Sequence, residues 1–368
     1  MVEKTISQLD IDDALARIGR NEESRKILVS ALREIEQVLT TLDFDSRLEI
    51  IAPILDSLHK NVSVLEKKVK AGPNWPLLKF TFNYSSQIAR GIVLSYPEIS
   101  DHIWEPQTTK LLLHLTENSS KVVIGGAYSG DHALLVAQRL KAGLNGTKSE
   151  VHCFEMDQSQ LMLCQKNAEK NALFNLVYHN FGLYSRDDVA LKLVGSDALC
   201  HAEVVPPDTP DSIKATTLHK VAMEYEIDRY DVIMLDIEGG ELNALKGGET
   251  FLSKPPNDAP DLIFEVHRHY VDWSDGLEKT EILCFLKDHG YYAFAIRDFQ
   301  NNVDLAGYPV ELIPPGKCVL DGPPHGFNIV AVKNLDRLKG PMFRYVEDVS
   351  PKLLRHRDPR LHAPGKFK

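Results

Sequence analysis

Leu28, Leu32, Ile35, Leu39 and Leu42 recur three and four residues apart, and Leu48, Ile51, Leu55, Leu58, Val62 and Leu65 do the same. This spacing predicts two amphipathic helices. Glu, Lys and Arg occupy the intervening positions, so each helix has one apolar face to bury against a neighbour or a second subunit. An N-terminal all-helical domain over 1–72, able to form a homodimer through those helices, is the expectation. Two prolines and a glycine in Ala71-Gly72-Pro73-Asn74-Trp75-Pro76 mark a boundary. Helical sequence continues beyond it to about position 100, and 73–118 is read as a helical connector.

Further on, short apolar runs alternate with helical ones. Strands are predicted over 121–124, 151–155, 176–179, 230–236, 262–267, 291–296 and 328–332, and helices over 108–115, 131–140 and 159–171. That order predicts an α/β domain over 119–340, a mostly parallel seven-stranded sheet with helices on both faces. The Pro- and Asp-rich stretch 195–212 reads as a loop near the rim of the cleft. There is no internal repeat.

A chain of 368 residues suits one large domain and a smaller one. A net charge of -10 argues against nucleic acid as the main partner, because a polyanion needs a dense basic surface. The basic tail 341–368 is the exception and is read as a solvated or surface-draped end. Five scattered cysteines without a C-x-x-C pair read as reduced thiols. No apolar run is long enough to span a bilayer, and the first residues lack a signal-peptide pattern, so a cytoplasmic protein without membrane attachment is expected.

Candidate chemistry gathers at the carboxyl ends of the predicted strands, where open α/β sheets bind ligands. After the first strand comes Gly125-Gly126-Ala127-Tyr128-Ser129-Gly130-Asp131, whose glycines admit a close backbone approach. The second strand ends at Glu155, placed to accept hydrogen bonds from a pair of ribose hydroxyls. Asp131 at the start of the next helix would repel a pyrophosphate, which disfavours a dinucleotide. The fourth strand delivers Asp236, Glu238 and Glu241 beside Gly239 and Gly240, a set suited to a cationic ligand, a metal or substrate hydroxyls. In the fifth, Glu265, His267 and His269 share one face.

These segments resemble the FkbM-type methyltransferases, whose pattern is D-V-G-A-N-x-G, then F-E-P, then K-I-D-V-E-G-A-E-x-x-V-L-x-G-A. The chain offers Ile124-Gly125-Gly126-Ala127-Tyr128-Ser129-Gly130, then Phe154-Glu155-Met156, then the run from Met234 to Gly248. The likeness extends over 121–269, and the last motif is its most specific part. It implies a class I Rossmann-like methyltransferase with S-adenosyl-L-methionine as donor, and O-methylation of a sugar or another hydroxylated secondary metabolite. Gly126, Ala127, Tyr128, Gly130, Glu155, Met156, Gly182, Leu183, Asp236 and Glu238 are then the expected donor-binding residues. Methyl transfer to a hydroxyl also needs its proton removed. Asp236 is the first expectation for that base or for orienting the acceptor, with His267 next and Glu265 beside it; Asp236, Glu265 and His267 could instead share a divalent ion. Trp104-Glu105-Pro106 opens a helix matching a segment that folds over the donor in such enzymes, so the 73–118 connector doubles as a lid. Ile124, Tyr128, Met234 and His219 depart from the family's acid, asparagine, lysine and acid. These departures keep two alternatives open, a donor-binding protein without catalysis and a nucleotide-dependent oxidoreductase.

Overall fold

The computed structural model describes residues 7–38, 44–62, 64–84, 87–94, 99–143, 149–195, 200–299, 307–320 and 326–353. It opens with three helices, α1 (Gln8–Gly19), α2 (Glu22–Val38) and α3 (Phe44–His59). Ser7 caps α1 in a reciprocal pair with Asp10, satisfying two otherwise orphaned backbone donors. Val29, Leu32, Ile51, Leu55 and Leu58 make a small separate core. The first stripe is narrower than predicted: Ile35 remains exposed, and Leu39 and Leu42 lie outside the described residues.

Contrary to expectation, the N-terminal region is not all helical. Strands β1 (Val64–Val69) and β2 (Leu78–Asn83) pair antiparallel, and β3 (Ile99–Ser100) joins β1, so strands stand on both sides of position 72 and interrupt the helical connector. Leu78, Phe80 and Phe82 are buried while Lys79 between them is exposed, the period-two pattern of a strand with one wet face. Helix α4 (Gln87–Leu94) follows β2 and packs onto the N-terminal core through Val93 and Leu94.

Then comes the large sheet. Helix α5 (Pro106–Leu115), with proline in its first turn, leads into β4 (Lys121–Gly125), α6 (Ala133–Gly143), β5 (Glu150–Phe154), α7 (Gln158–Lys170) and β6 (Leu176–His179). A side branch follows, β7 (Gly182–Leu183), β8 (Ala190–Val194), β9 (His201–Val205) and β10 (Ile213–Thr216), forming its own four-stranded sheet in the order β7-β10-β8-β9. The stretch 195–212, expected as a loop, therefore supplies β9, the outer strand of a hairpin with β8. The main sheet resumes through α8 (Leu218–Glu224), β11 (Val232–Leu235), α9 (Glu241–Lys246), α10 (Glu249–Leu252), β12 (Asp261–Val266), α11 (Glu281–Asp288), β13 (Tyr292–Arg297), β14 (Val310–Ile313), β15 (Phe327–Val332) and β16 (Phe343–Tyr345).

Its order is β16-β14-β13-β15-β12-β11-β4-β5-β6, nine strands rather than seven. The extra pair is β14 and β16 at one edge, short segments of four and three residues. Parallel pairing runs from β6 through β12, and β15 enters antiparallel between β12 and β13. Alternate side chains serve opposite faces: Val232 and Met234 join a core with α5, α6 and α7, while Ile233 and Leu235 join one with α8 to α11. Order reverses between β4 and β11, which opens a cleft at their carboxyl ends. Most of the basic tail, 354–368, lies outside the described residues. Among the described residues no helix is long and apolar enough to cross a membrane. All five cysteines are unpaired, with Cys153 and Cys164 buried.

Candidate functional site

The turn after β4 is held by its neighbours. Phe154 at the end of β5 accepts hydrogen bonds from the amides of both Gly126 (2.9 Å) and Ala127 (3.0 Å), and the Asp236 amide donates to the Gly125 carbonyl (2.9 Å). Gly126 lies in the left-handed region (φ 77°), and a β-carbon there would stand 1.8 Å from the Asp236 carbonyl oxygen, so only glycine fits. Gly130 (φ 93°) approaches Cys164 of α7, where a β-carbon would meet Sγ at 2.9 Å. Ala127 is buried in the core. Ala127 and Gly130 thus shape the turn without bordering the cleft.

A cavity of about 340 Å³ opens beside this turn, a volume within the range of small-molecule sites. Of the expected donor-binding residues, Gly126, Tyr128, Glu155, Met156, Gly182, Leu183, Asp236 and Glu238 line it; of the expected catalytic residues, Asp236 lines it and Glu265 and His267 do not. Glu155 is anchored on both oxygens: Oε2 accepts from the Tyr128 amide (2.9 Å) and Oε1 from the Asp157 amide (2.8 Å). Burial raises its proton affinity, and those two amides offset part of the rise. Asn180 was not singled out by the sequence; its side chain donates to the Glu155 and Met156 carbonyls (2.9 and 3.0 Å) and fixes the strand end. An Asn just past a predicted strand was the available signal, one shared by many turns.

The hairpin of β8 and β9 gives the cavity an apolar wall of Leu191, Leu193, Ala202 and Val204, and Asp131, Asp236 and Glu238 add acids to the lining. Tyr128 and Glu238 both hold left-handed backbones (φ 43° and 51°) that non-glycine residues seldom adopt. Their strain is concentrated at the cleft. Glu241 departs from the expected trio: its Oε1 turns back to accept the Ile237 amide (2.9 Å), bracing the turn rather than facing the cavity.

Burial lifts the proton affinity of this acidic group. Asp236 is pushed up to about 6, chiefly by burial, with His132 opposing and Asp131 and Glu155 adding. Glu238 rises to about 8 through burial, Asp236 and Glu241. Glu241 rises to about 7, mainly through burial. Raised affinities mean that the folded chain binds more protons than the unfolded one, so stability is full below the ordinary carboxylate range and is lost as pH rises through the folded values. Between about pH 6.5 and 8.5, where ordinary carboxylates are already ionised, Glu241 and Glu238 should lower the melting temperature of the ligand-free protein by a few degrees. Glu238→Gln should flatten that slope; a wild-type melting temperature that is level or rising over this window would contradict the assignment.

The pair on β12 is arranged differently. His267 accepts the His269 amide at Nδ1 (3.1 Å), so in the neutral ring the proton sits on Nε2, which then donates rather than accepts. That geometry favours Asp236 over His267 as a proton acceptor. Glu265 is buried, and Gly326 makes room for it: a β-carbon there would lie 1.7 Å from Glu265 Oε1. Oxygens of Asp236, Glu238 and Glu265 come within 4.8 Å of one another, so Glu238 takes the place expected of His267 in the set that could hold an ion. Ahead of α5, Glu105 is buried in a left-handed conformation, accepts a hydrogen bond from Asn328 Nδ2 (2.7 Å), and is pushed well up by burial and by Asp236. The amides of Gln107 and Thr108 at that helix start donate to Asp298 (3.0 and 2.7 Å).

The model of the methyltransferase FkbM domain matches residues 125–292, a little under half of the chain and the part that builds this cleft. Residues 125–292 are an FkbM methyltransferase domain. The FkbM domain thus begins at the last residue of β4 and reaches the first of β13. No curated protein matches the chain. Among solved structures, a methyltransferase FkbM from Methylobacillus flagellatus KT is similar at 16% identity over 58% of this chain and 43% of that one, with a TM-score of 0.35. The chain thus spans less than half the length of that protein. A putative methyltransferase from Streptococcus mutans in complex with SAH shares 8% identity over 62% of this chain and 96% of that one (TM-score 0.34). The O-methyltransferase from Bacillus cereus in complex with SAH shares 11% over 62% and 80% (TM-score 0.32). Likenesses this loose assign neither ligand nor substrate to the present chain.

Proposed function

We propose that the FkbM domain binds S-adenosyl-L-methionine in the 340 Å³ cavity and transfers its methyl group to a hydroxyl oxygen of a small acceptor, a saccharide or another hydroxylated metabolite. One observation carries the donor assignment. Glu155, held by a backbone amide on each oxygen, borders a cavity whose described lining includes Asp131, Asp157, Asp236 and Glu238 but no Lys or Arg. Such walls suit a cationic sulfonium and a phosphate-free nucleoside, and they repel a pyrophosphate, which counts against the oxidoreductase reading.

The donor, when bound, supplies a methyl carbon made electrophilic by positive sulfur. The chain's own residues do the rest. Glu155 has lone pairs left for two ribose hydroxyls, while Met156 and Leu183 offer apolar faces for a flat base. Asp236, with a proton affinity near neutrality, takes the proton of the acceptor hydroxyl as the oxygen–carbon bond forms and the carbon–sulfur bond breaks, the sulfur keeping the electron pair. Alignment of these groups is the larger part of such catalysis. Thermal unfolding tests the donor: S-adenosylhomocysteine at saturating concentration should raise the melting temperature and NAD(H) should leave it unchanged. Stabilisation by NAD(H) instead would overturn the proposal, and turnover on a panel of hydroxylated acceptors tests the rest.

A further inference from the structure

Asp236 just past β11, Glu238 two residues on and Glu265 of β12 place three carboxylate oxygens within 4.8 Å of one another. Proximity of acids alone assigns nothing. A second feature lies on the neighbouring strand. Asn328 of β15 stands directly opposite Glu265 in antiparallel register, so the two side chains leave the sheet on the same face. Asn328 is 2% exposed, and its Nδ2 donates to Glu105 Oε2 (2.7 Å) and Thr108 Oγ1 (3.2 Å), whereas its Oδ1 is buried without a hydrogen-bond partner. His132, 6% exposed and bordering the same cavity as Asp236 and Glu238, leaves its Nε2 without a partner as well. A buried acceptor lacking a donor calls for an explanation, and a bound ion is one of the few available.

Asp236, Glu238, Glu265 and the Asn328 carbonyl offer only oxygen atoms, the first three as carboxylates. Oxygen-only sets of carboxylate and amide carbonyl select hard cations. We propose that Asp236, Glu238 and Glu265 bind one divalent cation of the Mg²⁺, Mn²⁺ or Ca²⁺ class, with the Asn328 amide oxygen contributing to the same oxygen set. A cation there would offset the negative charge that three neighbouring carboxylates bring to one buried point. It sits where the acidic wall of the cavity meets β12, so its use in holding the acceptor's hydroxyl rests on the methyl-transfer reading, but its binding does not.

The test uses the full chain, stripped with chelator and titrated with Mn²⁺ alone while free Mn²⁺ is followed by electron paramagnetic resonance. One bound Mn²⁺ per chain, displaced by Mg²⁺ or Ca²⁺, is the expected result. Glu265→Gln and, at a less buried position, Glu238→Gln should each weaken Mn²⁺ binding about tenfold or more. Glu265→Gln, outside the cavity lining, should still bind S-adenosylhomocysteine, and both variants should keep the wild-type circular dichroism spectrum and a cooperative unfolding transition, which shows that they are folded. No Mn²⁺ site in the wild type, or unchanged affinity in both variants, would overturn the proposal. Mn²⁺ binding without S-adenosylhomocysteine binding would uphold the cation site and sink the donor assignment, and the reverse pattern would do the opposite.

Discussion

Replacing Asp236 by asparagine should cut turnover by about two to four orders of magnitude, the range spanned by general-base contributions. Affinity for S-adenosylhomocysteine should stay within about threefold, since the substitution removes one charge and no ribose contact. The amide keeps the shape of the carboxylate, and the Asp236 backbone bond to Gly125 is unaffected. What disappears is the ionised form, required equally of a proton acceptor and of a cation ligand. With Asp236 pushed up to about 6 in the cation-free protein, kcat/KM measured without divalent cation should rise as pH passes upward through that value. The variant should lose that rise. Glu238 would feel one acid fewer, because Asp236 raises its proton affinity, so the folded state should not suffer. Unfolding midpoints, calorimetry with the product and single-turnover rates separate these effects. Unchanged turnover would move the base elsewhere, and an equal loss of product affinity would make Asp236 a binding residue.

How much of this was legible in the sequence depends on how local the signal is. Strands β4, β5, β11 and β12 are short apolar runs bounded by turns and buried on both faces, and such runs announce themselves; the half-buried edge strand β6 is a shorter run of the same kind. The turn glycines and Glu155 were legible because backbone approach and a strand-end carboxylate are properties of a few adjacent residues. β2 was overlooked although Leu78, Phe80 and Phe82 alternate with polar neighbours, because helical periodicity on either side set the expectation. β9 was overlooked because Pro206, Pro210 and several acids follow it closely and read as a loop. Of the three acids expected together, Asp236 and Glu238 stay neighbours, while the turn through Gly239 and Gly240 sends Glu241 back onto its own backbone and Glu265 from the next strand comes in instead. Glu105 and Asn328, 223 positions apart, meet only because β15 inserts beside β12, and no local pattern records that.

Glu155→Ala should weaken S-adenosylhomocysteine binding by about 1–3 kcal/mol, the cost of losing charge-assisted hydrogen bonds in a partly buried site. That is roughly five- to 150-fold in Kd at room temperature. The carboxylate is already engaged with the backbone. Its two oxygens accept the Tyr128 and Asp157 amides, so truncation removes the contacts to the ligand and also leaves two backbone donors to find water. Tyr128 is the more sensitive of the two: its left-handed backbone is held by that bond, and losing it frees the turn that borders the cavity. Glu155→Gln separates the contributions. A glutamine retains one acceptor oxygen but presents an NH₂ group to the second backbone amide, donor against donor, so it should bind more weakly than wild type while keeping one of the two anchors. An order of affinity running wild type, Gln, Ala would mean that Glu155 acts through its oxygens on the ligand and the turn together. Equal affinity across all three would remove this residue from the donor site, and with it the reason for placing a ribose at the end of β5.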